Sequence, residues 1–371
     1  MLKTKGLEGV VATTSSVSSI IDDVLTYRGF NVDDLANYSD FEEVIYLLWF
    51  KRLPTSQQLA EFRNELIESA SLNRELTAMI EKLPIENAHP MSVLMTCVSS
   101  LAMYDAEADE ISQEANYRKA IRLQAQLSSI VAAYARIREG KEPLMPKSDL
   151  SFAANFLYML NGEIPDKTSE RAFNKALVLH ADHELNASTF TARVCVATLS
   201  DMYSGITAAL GALKGPLHGG ANERVMKMLN EINDIDYVEP YLQRSFKNKE
   251  KIMGFGHRVY KDGDPRAKHL REMSRQLAEV TGEDKWYNMS LTMEQIVRKE
   301  KGLLPNVDFY SASVYHSLGI QHDLFTPIFA ISRVSGWVAH ILEQYENNRL
   351  IRPRADYVGA KHQTYIPINL R

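Results

Sequence analysis

The stretch MGFGHRVYKDGDPR, residues 253–266, combines one histidine with two closely spaced glycines and a run of charged residues. Gly254 and Gly256 remove side chains from around His257, so that the backbone and the imidazole can lie directly against a ligand. The proline that follows predicts a new helix, with Arg266 in its first turn. The guanidinium of an arginine can form a bidentate pair of hydrogen bonds with a carboxylate. The stretch therefore predicts an anion-binding loop, although a solvated loop is the ordinary interpretation of so much charge.

Outside this loop, apolar residues recur at helical spacing over most of the chain, as in FEEVIYLLWFKRL and NYRKAIRLQAQLSSIVAAYARIREG. Strand signals are few, and GVVATT with LTYRGFNV predicts one short N-terminal β ribbon. The segment 188–213 has only two charged residues and predicts a single buried helix rather than a membrane span. We expect an all-α, mainly helical fold.

The composition indicates a soluble globular protein with a large core, in one big domain or two. The chain has 371 residues, of which 45% are hydrophobic, and a formal net charge of -5. Neither nucleic acid nor a membrane is expected as a partner. The first residues lack the apolar core of a signal peptide, and two cysteines cannot form a disulfide framework. These features predict a cytoplasmic protein.

Several other polar residues occur in unusual surroundings. In LVLHADHELN, the three-residue spacing of His180 and His183 could hold a metal. HExxH and a cysteine pair are both absent, so a polar ligand pocket or a satisfied core histidine is favoured. In GPLHGGANERVMKML, His218 precedes a helix, whose N-terminal dipole disfavours imidazolium. A neutral imidazole there could stabilise an oxyanion, and a turn histidine with no role is equally compatible.

Two further positions allow two interpretations each. Asp308 in PNVDFYSA opens an amphipathic helix, where an aspartate ordinarily serves as the N-cap. Arg333 lies inside the otherwise apolar FAISRVSGWVAHIL, where a buried arginine needs an anionic ligand or an internal carboxylate. Arg352, in RLIRPRADYVG, resembles surface charge when taken alone.

The motifs HADHELNASTF, GPLHGGAN, GFGHRVYKDGDPR, PNVDFYSA, ISRVSGW and RPRADY, in this order, resemble the citrate synthase family, in its shorter bacterial form. The resemblance covers nearly the whole chain. It implies a helical protein with a large domain (1–218 and 320–371) and a small domain (219–319). It also implies a homodimer and a cleft that closes on its substrate.

The activity that the resemblance implies is condensation of acetyl-CoA with oxaloacetate, followed by hydrolysis of citryl-CoA to citrate and CoA. CoA is then a cosubstrate, and no permanently bound cofactor or metal is expected. The nearest alternative is 2-methylcitrate synthase, which uses propionyl-CoA on the same scaffold. A non-catalytic helical scaffold and a metal-dependent lyase remain as alternatives of other classes.

The resemblance also implies a role for each matching residue. Asp308 matches the carboxylate that takes a proton from the acetyl methyl, and His218 matches the neutral histidine that stabilises the enolate. His257 matches the histidine that protonates the oxaloacetate carbonyl. The remaining matches are oxaloacetate ligands (His183, Arg266 and Arg333), an arginine from the other subunit (Arg352), and a CoA-binding segment (Lys251, Ile252, Met253, Gly254, Phe255 and Gly256).

Overall fold

The computed structural model of the chain describes residues 5–7, 9–84, 88–257, 259–260 and 262–371. The expectation of a mainly helical protein is confirmed. The α-helices in this part of the chain are α1 (Val32–Tyr38), α2 (Phe41–Phe50), α3 (Ser56–Ser69), α4 (Arg74–Lys82), α5 (Pro90–Leu101), α6 (Gln113–Arg138), α7 (Phe152–Asn161), α8 (Lys167–His180), α9 (Ala187–Val196), α10 (Met202–Lys214), α11 (Ala221–Ile232), α12 (Val238–Asn248), α13 (Ala267–Thr281), α14 (Lys285–Lys301), α15 (Val307–Ser317) and α16 (Phe325–Glu346).

A short antiparallel ribbon precedes the helices, as predicted, but one of its strands lies elsewhere. β1 (Ser18–Ile21), β2 (Val24–Tyr27) and β3 (Phe30–Asn31) pair in chain order. The turn between β1 and β2 consists of Asp22 and Asp23, with φ of 52° and 61°, the left-handed pair that closes a tight hairpin. The prediction that GVVATT forms a strand is wrong, because this two-residue turn sets SSII against VLTY.

The core of the protein is organised around α16, most of which is buried. This helix packs against α2, α6, α8, α9 and α10. Within the described ranges, His322–Glu346 is the one stretch long and apolar enough to cross a membrane. Of its most apolar 18 residues, 94% are buried inside the protein. The burial identifies it as a core helix.

The segment 188–213 forms two helices, so the prediction of one continuous helix is wrong. The break lies between α9 and α10, where Leu199 adopts a left-handed backbone with φ 66° and is exposed. Asp201 then caps α10 by accepting a 2.9 Å hydrogen bond from the backbone N–H of Ser204. The two helices pack against each other and bury the apolar residues that suggested a single span.

The predicted small domain contains α11 to α15. Within this group, α13 and α11 both pack against α15, and α14 packs against α12, α13 and α15. Helix α13 also contacts α8, which belongs to the predicted large domain. The division at 219 and 319 stays a prediction.

Candidate active site

The turn after α8 is covered closely by α16, and the contact depends on Gly336. A Cβ at Gly336 would lie 2.3 Å from the Asp182 carboxylate and 2.4 Å from the Ala181 carbonyl oxygen, which no side chain permits. The close approach brings Arg333, one turn earlier on α16, to the end of α8. There its Nε donates a 2.8 Å hydrogen bond to the carbonyl of His180.

Arg333 is a buried cation, with 2% of its surface exposed. Its guanidinium lies 4.5 Å from the ring centre of Phe329, and burial lowers its pKa to about 10. Among the described residues, no carboxylate lies within ion-pair distance of it. Because a buried unpaired charge is costly, this guanidinium is suited to an anionic ligand.

Arg266 is also buried, but it has an internal partner. Its Nε and Nη2 donate to the two carboxylate oxygens of Asp264 at 2.9 and 2.8 Å. Asp264 also accepts a 2.9 Å hydrogen bond from the backbone N–H of Val307, at the first residue of α15. Asp264 therefore links the arginine of the signature loop to the helix that carries Asp308.

Asn306 makes a second link between the same two segments. Its side chain accepts from the Asp308 N–H at 3.0 Å and donates to the Gly256 carbonyl at 2.9 Å, while its own N–H donates to the Gly254 carbonyl at 2.9 Å. Asn306 is the N-cap of α15, so the interpretation of Asp308 as the N-cap is wrong. The Asp308 carboxylate is left free for another role.

The Asp308 side chain is half-buried and lies close to three arginines and one aspartate. Burial, with a smaller contribution from Asp264, raises the pKa of its carboxyl to about 6, against the lowering influence of Arg266 and Arg333. Such a carboxyl is ionised at neutral pH yet more basic than an ordinary aspartate. That combination is what a general base requires.

His257 is held by the backbone of its own loop. Its Nδ1 accepts hydrogen bonds from the N–H groups of Val259 (3.0 Å) and Tyr260 (3.2 Å), which assigns the ring hydrogen to Nε2. Burial lowers its pKa, so the ring is neutral near pH 7. His257 therefore presents one N–H donor away from its own loop. Two residues of the same loop, Arg258 and Lys261, lie outside the described residues.

His218 is fixed as a neutral imidazole in the same manner. Its Nε2 accepts a 3.3 Å hydrogen bond from the backbone N–H of Ser188 and lies 2.7 Å from the Ser188 hydroxyl. That hydroxyl also accepts a 3.1 Å hydrogen bond from the indole of Trp337. Burial and the charge of Arg333 lower the His218 pKa to about 4. The hydrogen is thus on Nδ1, which remains available as a donor.

His183 completes the cluster. Its ring centre lies 5.3 Å from that of His257, and its Nε2 lies 3.1 Å from the hydroxyl of Tyr260. Burial, Arg266, Arg333 and His257 together lower its pKa well below the usual range. The charges of Arg266 and Arg333 both act on His183, and the charge of Arg333 also acts on His218 and Asp308, so these side chains lie near one another.

Comparison with known proteins shows the family of the chain. A family model described as citrate synthase, C-terminal domain, matches residues 6–354. The chain belongs to the citrate synthase family. It is 65% identical to citrate synthase 2 of Bacillus subtilis over 100% of both chains, and 45% identical to 2-methylcitrate synthase 2 of Corynebacterium glutamicum, covering 99% of this chain and 97% of that one.

A solved citrate synthase from Thermoplasma acidophilum, in a ternary complex with carboxymethyl coenzyme A and oxaloacetate, has a TM-score of 0.91. It is 36% identical, with 99% of this chain and 98% of that chain covered. The predicted family, the helical fold and the enzyme class, an acyl-transferring synthase, are confirmed.

Two groups of predicted residues are not part of the central cluster. Arg352 is exposed and lines a separate cavity of about 720 Å³ together with Arg193 and Glu343. In the predicted CoA segment, Lys251 is exposed, whereas Ile252 and Phe255 are buried and Phe255 packs 4.5 Å from the ring of Phe309.

The metal alternative gains no support from the geometry. His180 is fully buried, and its Nδ1 is hydrogen-bonded to the Ala176 carbonyl at 2.7 Å. In the part of the chain that the structure describes, no three His, Cys, Asp or Glu side chains are grouped as metal ligands. His180 contributes its backbone carbonyl to Arg333 instead.

Sequence reasoning missed the residues that orient the predicted ones. These are Ser188, Tyr260, Asp264, Asn306 and Trp337. Each lies inside one of the motifs that carried the resemblance, within about one helical turn or one loop of a predicted residue. Their polar side chains were the available signal, but their partners are distant in sequence.

Proposed function

We propose that this protein condenses acetyl-CoA with oxaloacetate and hydrolyses the resulting citryl-CoA to citrate and CoA. The observation that carries the proposal is the protonation state of three side chains. Asp308 is a carboxyl with a pKa of about 6, while His218 and His257 are neutral imidazoles whose free nitrogens are hydrogen donors. One base and two neutral donors are what an aldol-type condensation of a thioester requires.

In the first step, Asp308 removes a proton from the acetyl methyl. A thioester α-carbon is a weak acid, so the raised basicity of the carboxyl lowers the cost of this transfer. The Nδ1–H of His218 donates to the thioester oxygen as negative charge develops there. One such donor is typically worth about 3 kcal/mol of transition-state stabilisation.

In the second step, the enolate carbon forms a bond to the ketone carbon of oxaloacetate. The Nε2–H of His257 polarises the ketone and then supplies its proton to the new alkoxide. Arg333, which has no carboxylate within ion-pair distance among the described residues, and Arg266 neutralise the two carboxylates, and His183 lies in the same site. Water then attacks the citryl thioester, and CoA leaves as the thiol.

Closure of the cleft belongs to the same proposal. Arg266 lies in the predicted small domain and Arg333 in the predicted large domain, so one dicarboxylate bound to both would draw the domains together. Closure would keep water from the enolate before it meets the ketone.

The proposal is tested by thiol release with oxaloacetate and a panel of acyl-CoAs. We expect kcat/KM for acetyl-CoA to exceed that for propionyl-CoA by about 10- to 200-fold, the usual discrimination for one methylene. The 2-methylcitrate synthase relative motivates the alternative, in which propionyl-CoA is preferred. Absence of thiol release with every acyl-CoA would contradict both proposals.

We also propose a homodimer in which Arg352 enters the active site of the partner. Residues 352–371 are all exposed and include several large apolar side chains, among them Tyr357, Val358, Tyr365 and Ile368. An exposed apolar arm of this length is typical of a segment that packs on another subunit. Arg352 at its base lies outside the central cluster of its own chain.

Hybrid dimers test this arrangement. We expect Asp308→Asn chains to have little activity alone. We expect the same of Arg352→Ala chains when oxaloacetate is subsaturating. When they are unfolded, mixed and refolded, a hybrid dimer contains one site with an intact Asp308 and the Arg352 of its partner. We expect thiol release to recover well above the sum of the parents. No recovery, with hybrids verified by mass, would place Arg352 in its own subunit's site or outside any site.

A further inference from the structure

Tyr260 lies within the oxaloacetate site, yet the reaction described above gives it no role. Its side chain is buried, with 5% of its surface exposed. The ring centre lies 4.5 Å from that of His257 and 5.6 Å from that of His183. Its backbone N–H also helps to hold Nδ1 of His257. One residue therefore contacts both histidines that are proposed to meet the ketone substrate.

The hydroxyl of Tyr260 lies beside the His183 ring. Its oxygen is 3.1 Å from Nε2 of His183. Burial raises the pKa of Tyr260 above its usual range, so the phenol keeps its hydrogen.

This arrangement has a consequence for anion binding. Burial and the positive charges of Arg266 and Arg333 disfavour protonation of His183. A neutral His183 brings no positive charge to a carboxylate ligand, so a further hydrogen-bond donor beside it strengthens binding. The hydroxyl of Tyr260 is such a donor, and it is also close enough to Arg266 to feel its charge.

We propose that Tyr260 is a substrate-binding residue: its O–H donates to a carboxylate oxygen of oxaloacetate when the substrate binds. The inference rests on the proposed function, because it takes oxaloacetate as the ligand. It adds a neutral donor to two cationic ones.

The test is Tyr260→Phe, which keeps the ring against His257 and removes only the hydroxyl. We expect the KM for oxaloacetate to rise about 10-fold or more, as for loss of one hydrogen bond to a charged group. The kcat should stay within about threefold, and the KM for acetyl-CoA should not change. Tyr345→Phe is the matched control, because its hydroxyl donates to the Ser200 carbonyl at 2.5 Å on another part of the protein.

Direct measurements separate this inference from the proposed function. Oxaloacetate binding by calorimetry, without acyl-CoA, should weaken in Tyr260→Phe and not in Tyr345→Phe. Adding oxaloacetate to the wild type should change the near-ultraviolet tyrosine spectrum, and this change should be smaller in Tyr260→Phe. An unchanged affinity in Tyr260→Phe, or a wild type that binds oxaloacetate with no tyrosine signal, would overturn the inference. A wild type that binds oxaloacetate but releases no thiol would instead refute the proposed condensation.

Discussion

Replacing Asp308 with asparagine is expected to lower kcat by about 10²- to 10⁴-fold, the usual contribution of a positioned general base. The amide has the shape of the carboxyl but cannot accept the methyl proton. Because Asn306, and not Asp308, caps α15, the helix keeps its N-terminal hydrogen bond in the variant. The KM for oxaloacetate should therefore change little. Steady-state thiol release over a range of both substrates measures the two parameters.

The control for this variant is Asp149→Asn, which makes the same chemical change at an exposed position. We expect it to retain full activity. A kcat within about tenfold of the wild type in Asp308→Asn would assign the proton transfer to another group, since a general base contributes more than that.

The pH dependence of the wild type follows from the same carboxyl. With a pKa of about 6, Asp308 is ionised above that pH and protonated below it. The kcat/KM for acetyl-CoA should therefore fall as pH drops through about 6. His218, with a pKa of about 4, stays neutral over this range and cannot produce the same limb. The residual activity of Asp308→Asn should not fall in this way as the pH drops through about 6. If the fall persists in the variant, Asp308 is not the group that causes it.

The sequence predicts the identity of the central residues better than it predicts how they are held. The ordered motifs, through their resemblance to the citrate synthase family, indicated His218, His257 and Asp308, although the residues alone left the roles of His218 and Asp308 open. Their hydrogen-bond partners could not be read in the same way. Ser188 meets His218 across 30 residues of chain, and only the packing of α9 brings them together.

The helix ends show why local propensity was insufficient. Asparagine and aspartate are both good N-cap residues, so PNVDFYSA allows either to start α15. The tertiary bonds of Asn306 to Gly254 and Gly256 decide between them. In the segment 188–213, apolar composition suggested one helix, but a left-handed Leu199 and the Asp201 cap divide it.

Replacing either buried arginine should weaken oxaloacetate binding, but the two replacements should affect the stability of the protein differently. Arg333→Met and Arg266→Met should each raise the KM for oxaloacetate by about 10-fold or more, because each removes a charge-assisted hydrogen bond to a carboxylate. Replacing Arg333 removes a buried charge that has no carboxylate partner in the described part of the chain, and it gives up the hydrogen bond to the His180 carbonyl. The free energy of unfolding of the substrate-free protein should therefore be unchanged or higher.

Arg266→Met should lower the free energy of unfolding, because the Asp264 carboxylate is fully buried and would lose its paired cation. Breaking a buried pair in this way typically costs about 3–5 kcal/mol. Denaturant unfolding of the two variants without substrate measures the contrast, and oxaloacetate should raise the stability of the wild type more than that of either variant. Equal destabilisation of both variants would show that Arg333 is paired in the free protein, and the anion site would then have to be built around another charge.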